Sequence, residues 1–363
     1  MKKMLYITPT LNHYKFNKIN HLAAYYTIDI LSGQGIIPDN KGNVREIYFS
    51  HIDKESFNND KSIRRFIKTN YFKYDYVIMP FEIKFFSIII WIYYLKIRAS
   101  ASNHNLISYN HPVPKTQNPF SAIIAYPFTV FAYRVIYDKI IFYTEQGYKW
   151  AVSRKIVSPN KAFWANNTMD NEEVNKYYQF IYPPSNDLRI LFIGRLIPSK
   201  KVDLLIDYYN ALKGRFNIEN RSLKLEVIGD GPDRCLIQSS ATSDPDILWH
   251  GTLTEEKMIA PIIARSTVVF IPGASGLSIN HAFAYGRPYI TLQSKSHGPE
   301  ISYLEDGKNG LILTGSFETN VEVLYNLLTD WDKIIAFCNN AREKGKQLSI
   351  NNWVEQIKKA LDA

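Results

Sequence analysis

The sequence predicts an α/β protein built as two doubly wound, Rossmann-like domains facing a central cleft, and three observations carry that prediction. Short β-rich runs alternate with longer segments of helical pattern along the chain. The alternation halts at Tyr182 to Asp187 (YPPSND), where prolines and turn formers stop any helix, and then restarts. The length, 363 residues, gives each half enough chain for its own core, at roughly 100–200 residues per domain.

In the first half the expected strands are Met4 to Ile7, Val44 to Tyr48, Tyr74 to Met79, Leu106 to Ser108, Lys139 to Phe142 and Lys161 to Ala165. Lys18 to Leu31, Lys61 to Thr69 and Glu82 to Arg98 lie between them with room for crossover helices, so the sheet should be mostly parallel and covered on both faces. In the second half Arg189 to Ile193 (RILFI) reads as a buried strand and Val202 to Leu212 as a helix. Strands follow at Leu223 to Ile228, Ile247 to His250, Val268 to Ile271, Tyr289 to Leu292 and Gly310 to Leu313. Near the end, Trp353, Val354, Ile357 and Leu361 share one helical face. The expected divisions are 1–184, 185–345 and a terminal helix within 346–363.

Lysine and arginine number 43 against 34 aspartate and glutamate, a net charge of +9, and hydrophobic residues make up 46%. This composition excludes a disordered, collagen-like or heptad-repeat chain. The positive charge suits an anionic lipid surface; no basic cluster interleaved with aromatics and no nucleic-acid motif is present, so no nucleic-acid partner is expected. Cys235 and Cys338 make no disulfide framework and no His/Cys cluster has ligand spacing, so a cytoplasmic setting and no metal are expected. The start, MKKMLYITPT, reads as a first strand rather than a signal peptide.

Two apolar stretches fall short of the about 20 consecutive apolar residues that a spanning helix needs. Phe85 to Leu95 is bounded by Lys84 and Lys96, and Thr116 to Tyr133 carries Pro119 and Pro127. Phe120, Ile123, Ile124, Pro127 and Phe131 recur at helical spacing, and packing as core helices is preferred to a membrane-lying face.

The densest chemistry follows the strands of the second half. In GRLIPSKK (Gly194 to Lys201), Gly194 turns the chain and Arg195 and Lys200 set two cations beside a helix start. That is a site for a diphosphate, or else a solvated basic turn. VIGDGP (Val227 to Pro232) runs a strand into Gly229 and Gly231, which allow tight turning and close backbone approach. PGASGLSINHAFAYGRP (Pro272 to Pro288) opens a helix with the loop Gly273, Ser275, Gly276, Leu277 and Ser278, and His281 lies one turn further on. Backbone N–H groups of Ser275 to Ser278 offer a phosphate cradle. Asp244-Pro245-Asp246 has the spacing of a metal-holding pair but reads as a turn.

In order, GRLxxxK, VIGDGP, the Pro272 to Pro288 block and HGPEISYLEDGKNGLI (His297 to Ile312) resemble the family 4 glycosyltransferases of the GT-B fold. The likeness is close over Arg189 to Thr314. It is looser through YNHPV (Tyr109 to Val113), FYTEQG (Phe142 to Gly147) and ANNTMD (Ala165 to Asp170). The resemblance implies a retaining, metal-independent hexosyltransferase, without cofactor, whose C-terminal domain takes a UDP- or GDP-linked sugar. It implies that Arg195 and Lys200 bind the donor diphosphate and neutralise the leaving group, while Gly273 to Ser278 add backbone donors. It sets His111 near the donor sugar; read alone, His111 is a satisfied loop residue. Glu145 and Asn167 face the expected cleft or simply cap turns. The acceptor, a saccharide or polyprenyl-linked saccharide, falls to the N-terminal domain, and the terminal helix packs back on it. The implied setting is bacterial surface polysaccharide synthesis at the inner face of the plasma membrane, with peripheral contact to anionic lipid.

Where the family carries two glutamates, this chain has Gly273 and His281. His281 can hydrogen-bond ribose hydroxyls, though not as an anion, and Glu300 is the nearest alternative carboxylate or else a cap. Two competing readings follow, a non-catalytic nucleotide-sugar-binding subunit and a GT-B sugar-nucleotide epimerase. The substituted glutamates favour the first; the second needs acid/base side chains around the sugar.

Overall fold

The computed structural model describes residues 1–35, 42–51, 56–98, 104–111 and 119–363, the side chains of 119–124 excepted. They form two compact units, Met1–Asn167 with Ile350–Ala363, and Thr168–Ser349. The first runs β1 (Lys3–Leu11), α1 (His13–Leu22), β2 (Thr27–Gly35), β3 (Glu46–Phe49), α2 (Lys61–Asn70), β4 (Tyr76–Ile78), α3 (Phe86–Arg98), β5 (Asn105–Asn110), α4 (Pro119–Phe131), β6 (Lys139–Phe142), α5 (Glu145–Ser153) and β7 (Ala162–Trp164). The second runs α6 (Asn171–Tyr177), β8 (Leu188–Ile193), α7 (Val202–Ile218), β9 (Leu223–Ile228), α8 (Arg234–Ser243), β10 (Ile247–Trp249), α9 (Glu256–Arg265), β11 (Val268–Phe270), α10 (Ser278–Ala284), β12 (Tyr289–Leu292), β13 (Gly310–Leu313), α11 (Phe317–Thr329) and α12 (Trp331–Gln347). A last helix, α13 (Ile350–Asp362), belongs to the first unit.

Both sheets are parallel throughout, in the orders β3-β2-β1-β4-β5-β6-β7 and β10-β9-β8-β11-β12-β13. Side chains alternate across the first sheet with the strand period of two: Leu5 and Ile7 enter the core under α2 and α3, while Met4 and Tyr6 enter the core under α1 and α13. The apolar face expected of the terminal helix is what holds it there. Trp353, Val354, Ile357 and Leu361 are buried, and Trp353 Nε1 donates to the Tyr109 hydroxyl at 2.9 Å.

Three expectations need correcting. Lys18 to Leu31 is not one helix: α1 ends at Leu22, and Thr27–Gly35 is a strand beside β1. Its polar residue, Asp29, is fully buried, where it accepts from Tyr74 Oη at 2.6 Å and pairs with Arg45. The unit boundary falls at Asn167/Thr168 and not in Tyr182 to Asp187. The backbone before those prolines is stitched into the second unit, since Arg287 Nη2 donates to the Ile181 carbonyl at 2.8 Å. Finally, of the α4 face expected to be buried, Pro127 and Phe131 are exposed, while Phe120, Ile123 and Ile124 have side chains outside the described residues.

Candidate functional site

In each sheet the strand order reverses once, between β1 and β4 in the first unit and between β8 and β11 in the second. Loops leaving the carboxyl ends of two such strands run to opposite sides and open a crevice between them, where ligands of doubly wound folds bind.

At the β8/β11 crevice the frame is backbone against backbone. A Cβ on Gly229 would lie 1.8 Å from the Gly194 carbonyl oxygen, and one on Gly231 2.2 Å from that of Leu196. Gly229 has φ of 141°, so a side chain there is strained as well as crowded. These glycines therefore let the VIGDGP turn close on the loop after β8, where Leu196 N donates to Asp230 O at 2.9 Å. Gly273 does the same for the loop after β11: its own Cβ would meet Ser199 O at 2.2 Å, and its N–H donates to Lys200 O at 3.0 Å.

On this frame Lys200 reaches the Ala274 carbonyl at 2.5 Å, while Arg195 is exposed. Burial first, and the charge of Arg195 next, bring the Lys200 ammonium down to a pKa of about 8, against an opposing pull from Glu300. Lys200 thus senses both neighbouring charges. An arriving polyanion would relieve the repulsion between the two cations, which is what an anion site needs.

The cradle is narrower than the sequence suggested. Ser275 N–H donates to His297 Nδ1 at 3.1 Å, and Ala274 N–H donates to Ser199 O at 2.7 Å. Among the described residues, the loop N–H groups without a protein acceptor are those of Gly276, Leu277 and Ser278. The Ser275 and Ser278 hydroxyls turn inward, to Thr291 Oγ1 at 3.2 Å and Tyr289 Oη at 2.8 Å. His297 locks the loop: because its Nδ1 accepts, its Nε2 carries the proton, which it donates to the Leu292 carbonyl at 2.9 Å.

His281 has a carboxylate beside it that no motif announced. Its Nε2 lies 2.9 and 3.2 Å from the two oxygens of Glu256, the first residue of α9, and Tyr285 Oη donates to Glu256 at 2.7 Å. Burial would raise the Glu256 carboxyl, but the hydrogen bonds from His281 and Tyr285 hold it below the ordinary carboxylate range. Glu300 is buried in the turn Pro299–Tyr303, with a carboxylate oxygen 3.8 Å from the Cβ position of Gly276. Asp244 and Asp246 both pair with Lys213, at 2.5 and 2.7 Å, which supports the turn reading.

In the first unit a cavity at the β1/β4 crevice is lined by Tyr6, Thr8, Thr10, Lys15, Glu82 and Tyr143, among others. Lys15 Nζ is held by Thr8 Oγ1 at 3.0 Å and the Thr10 carbonyl at 2.9 Å, and Tyr143 stacks edge-on against Tyr109 at 4.6 Å. His111 directly follows β5; its N–H donates to Asn110 Oδ1 at 2.7 Å and its carbonyl accepts from Tyr133. The rest of YNHPV, Pro112 and Val113, lies outside the described residues. Glu145 opens α5 and pairs with Lys149 at 2.8 Å, and Asn167 accepts from the buried Lys18 at 2.6 Å. Sequence reasoning missed Glu256, which has no local signal, and His297, whose place at the head of HGPE was the available clue. It also missed Lys15 and the hydroxyls around it, which follow no motif.

Residues 187–330 match the family described as Glycosyl transferases group 1. A comparison with curated proteins gives no match. Solved structures match over the whole chain. HepE of Anabaena, in complex with UDP, has a TM-score of 0.71 at 13% identity, with 100% of both chains covered. The lipopolysaccharide outer core galactosyltransferase WaaB has a TM-score of 0.68 at 15% identity, with 99% of each chain covered. Sucrose-phosphate synthase from Thermosynechococcus elongatus has a TM-score of 0.69 at 14% identity, covering 99% of this chain and 98% of that one. Two parallel Rossmann-like sheets that align at full coverage with these structures give the chain the GT-B fold.

Proposed function

We propose that the chain is a retaining, family 4 glycosyltransferase that moves a sugar from a UDP- or GDP-linked donor to a saccharide or polyprenyl-linked acceptor. Its setting is surface polysaccharide synthesis at the cytoplasmic face of the membrane. The observation that carries the reading is the grouping of Arg195, Lys200 and the N–H groups of Gly276 to Ser278 at the β8/β11 switch point, within the segment matching the glycosyltransferase group 1 family. HepE, with the same fold, has been crystallised with UDP and with UDP-glucose.

In this reading the diphosphate lies against Lys200 and Arg195. As the anomeric C–O bond breaks, negative charge gathers on the leaving phosphate, and fixed cations and N–H groups stabilise it more than they stabilise the bound donor. The acceptor hydroxyl attacks from the face the phosphate leaves, and the phosphate takes its proton. No general base from the protein is required. Glu256 engages His281 through Nε2, so the Nδ1 side of the ring would meet a ribose hydroxyl with a carboxylate behind it. That pairing weakens the reading of a silent nucleotide-sugar-binding subunit, which rested on the missing glutamate.

The test is release of nucleoside diphosphate from UDP- and GDP-sugars with lipid extract present, in wild type, Arg195→Ala and Glu256→Gln. Turnover with one donor is expected, falling at least tenfold in Arg195→Ala, about 1.4 kcal/mol of transition-state stabilisation. Glu256→Gln is expected to raise the donor KM a few-fold. Nucleotide binding without turnover of any donor would instead establish the binding subunit.

A further inference from the structure

Lys200 is equipped for more than charge. It closes the short turn Pro198–Lys200 and lies half-buried, with Nζ 2.5 Å from the Ala274 carbonyl oxygen. Gly194 has no side chain to cover the amine; a Cβ there would stand 4.0 Å from Nζ. The next residue, Lys201, is exposed and supplies a surface amine for comparison.

An amine attacks only through an unprotonated nitrogen. Burial and the Arg195 charge disfavour the Lys200 ammonium more than the Glu300 charge favours it. At a pKa of about 8, roughly a tenth of Lys200 is neutral at pH 7, against less than about one part in a thousand for an unshifted lysine. Desolvation and a second cation are the two devices that turn a lysine into a nucleophile. A neutral amine that keeps one N–H on the Ala274 carbonyl still has its lone pair for attack.

Arg195 and the loop N–H groups of Gly276 and Leu277 share this crevice and suit a phosphoryl group. In an acyl phosphate, the mixed anhydride of a carboxylic and phosphoric acid, the electrophilic carbon is one bridging oxygen from phosphorus. A phosphoryl group held by Arg195 and the loop therefore brings that carbon to Nζ, and the shared site replaces a bimolecular encounter.

We propose that Lys200 is a site of acylation by small acyl phosphates, which enter the crevice as anions and react there as acyl donors. Nζ forms an amide bond to the acyl carbon, and the bond from that carbon to the bridging oxygen breaks. Inorganic phosphate leaves with the electron pair and takes the proton that the nitrogen sheds. The groups that hold the phosphoryl oxygens stabilise it as it departs. The amide left behind carries no charge, so acylation closes the anion site. The inference rests on the anion-site reading above and not on glycosyl transfer.

The test incubates the full chain with acetyl phosphate and follows each acetylated lysine by peptide mass spectrometry. Lys200 is expected to react at least about tenfold faster than Lys201, with a rate that rises with pH and levels off above about 8. Inorganic diphosphate should protect it. Arg195→Ala, its fold checked by far-UV circular dichroism, should cut the preference of Lys200 for acetyl phosphate over neutral acetic anhydride about tenfold, because the anhydride needs no anion site. Equal labelling of Lys200 and Lys201, absence of protection by diphosphate, or an unchanged preference in Arg195→Ala overturns the proposal. Protected acetylation of Lys200 in a chain that turns over no sugar donor upholds it while the glycosyltransferase reading falls. Nucleoside diphosphate release from a chain whose Lys200 resists acetyl phosphate does the reverse.

Discussion

The crevice at β8/β11 is made of backbone and two cations, whereas the crevice at β1/β4 is made of hydroxyls, aromatic rings and Lys15. The first needs glycines wherever one loop crosses another, as Gly229 crosses Gly194 and Gly273 crosses Ser199. A diphosphate carries the same charge and the same oxygens in every donor, so a fixed backbone suits it. The second crevice uses side chains from β1, α1 and the loops after β4 and β6, and side chains can be exchanged without disturbing the sheet. Polyols are read by such mixed hydroxyl and aromatic surfaces, and they differ from one acceptor to the next. On the function proposed above, one switch point would hold what is constant in the reaction and the other what varies.

The largest test of this contrast is Lys200→Ala, expected to lower kcat/KM for the donor by about 100- to 1,000-fold, the usual cost of removing one preorganised charge stabiliser. A loss under threefold, read from nucleoside diphosphate release, would move the diphosphate elsewhere. Next, Gly229→Ala puts a Cβ 1.8 Å from a backbone oxygen and should cost about 3 kcal/mol in urea unfolding. Gly251→Ala, with φ of 65° but nothing within 4 Å, should cost about 1 kcal/mol. Equal costs would show that close loop approach is not what the glycine serves.

The pH profile comes third. Lys200 is charged below its folded value of about 8 and neutral above it, so kcat/KM should be flat below and fall about tenfold per pH unit above. Bound diphosphate favours the ammonium, so kcat should hold to higher pH; identical breaks in both profiles would point to another group. The smallest effect is expected in the first unit. Lys15→Met should raise the acceptor KM about tenfold and leave donor KM unchanged, and a shift in donor KM would erase the division of labour between the two crevices.

How much was legible follows the same contrast. Strands Lys139–Phe142, Leu223–Ile228, Tyr289–Leu292 and Gly310–Leu313 stand where the apolar runs placed them, because strands of a covered parallel sheet are continuous hydrophobic segments. Thr27–Gly35 was misread because Asp29 breaks such a run, and its burial depends on Arg45 and Tyr74, which lie far off in sequence. Arg195, Lys200 and the Gly-rich loop were visible because each follows a strand within a few residues. The cradle was drawn one residue too early at Ser275, whose N–H is taken by His297, 22 positions away.

By itself the sequence determined the two doubly wound units, the terminal helix that joins the first, and the basic, glycine-rich loops. All of these are written in local periodicity and in residues adjacent to strand ends. Tertiary structure alone decided that Glu256 meets His281, that His297 takes the Ser275 N–H, and that the Phe128 and Phe131 rings of α4 are exposed. The first two are contacts between segments 25 and 22 positions apart that no local pattern links, and they exist only once parallel strands have brought their carboxyl ends together.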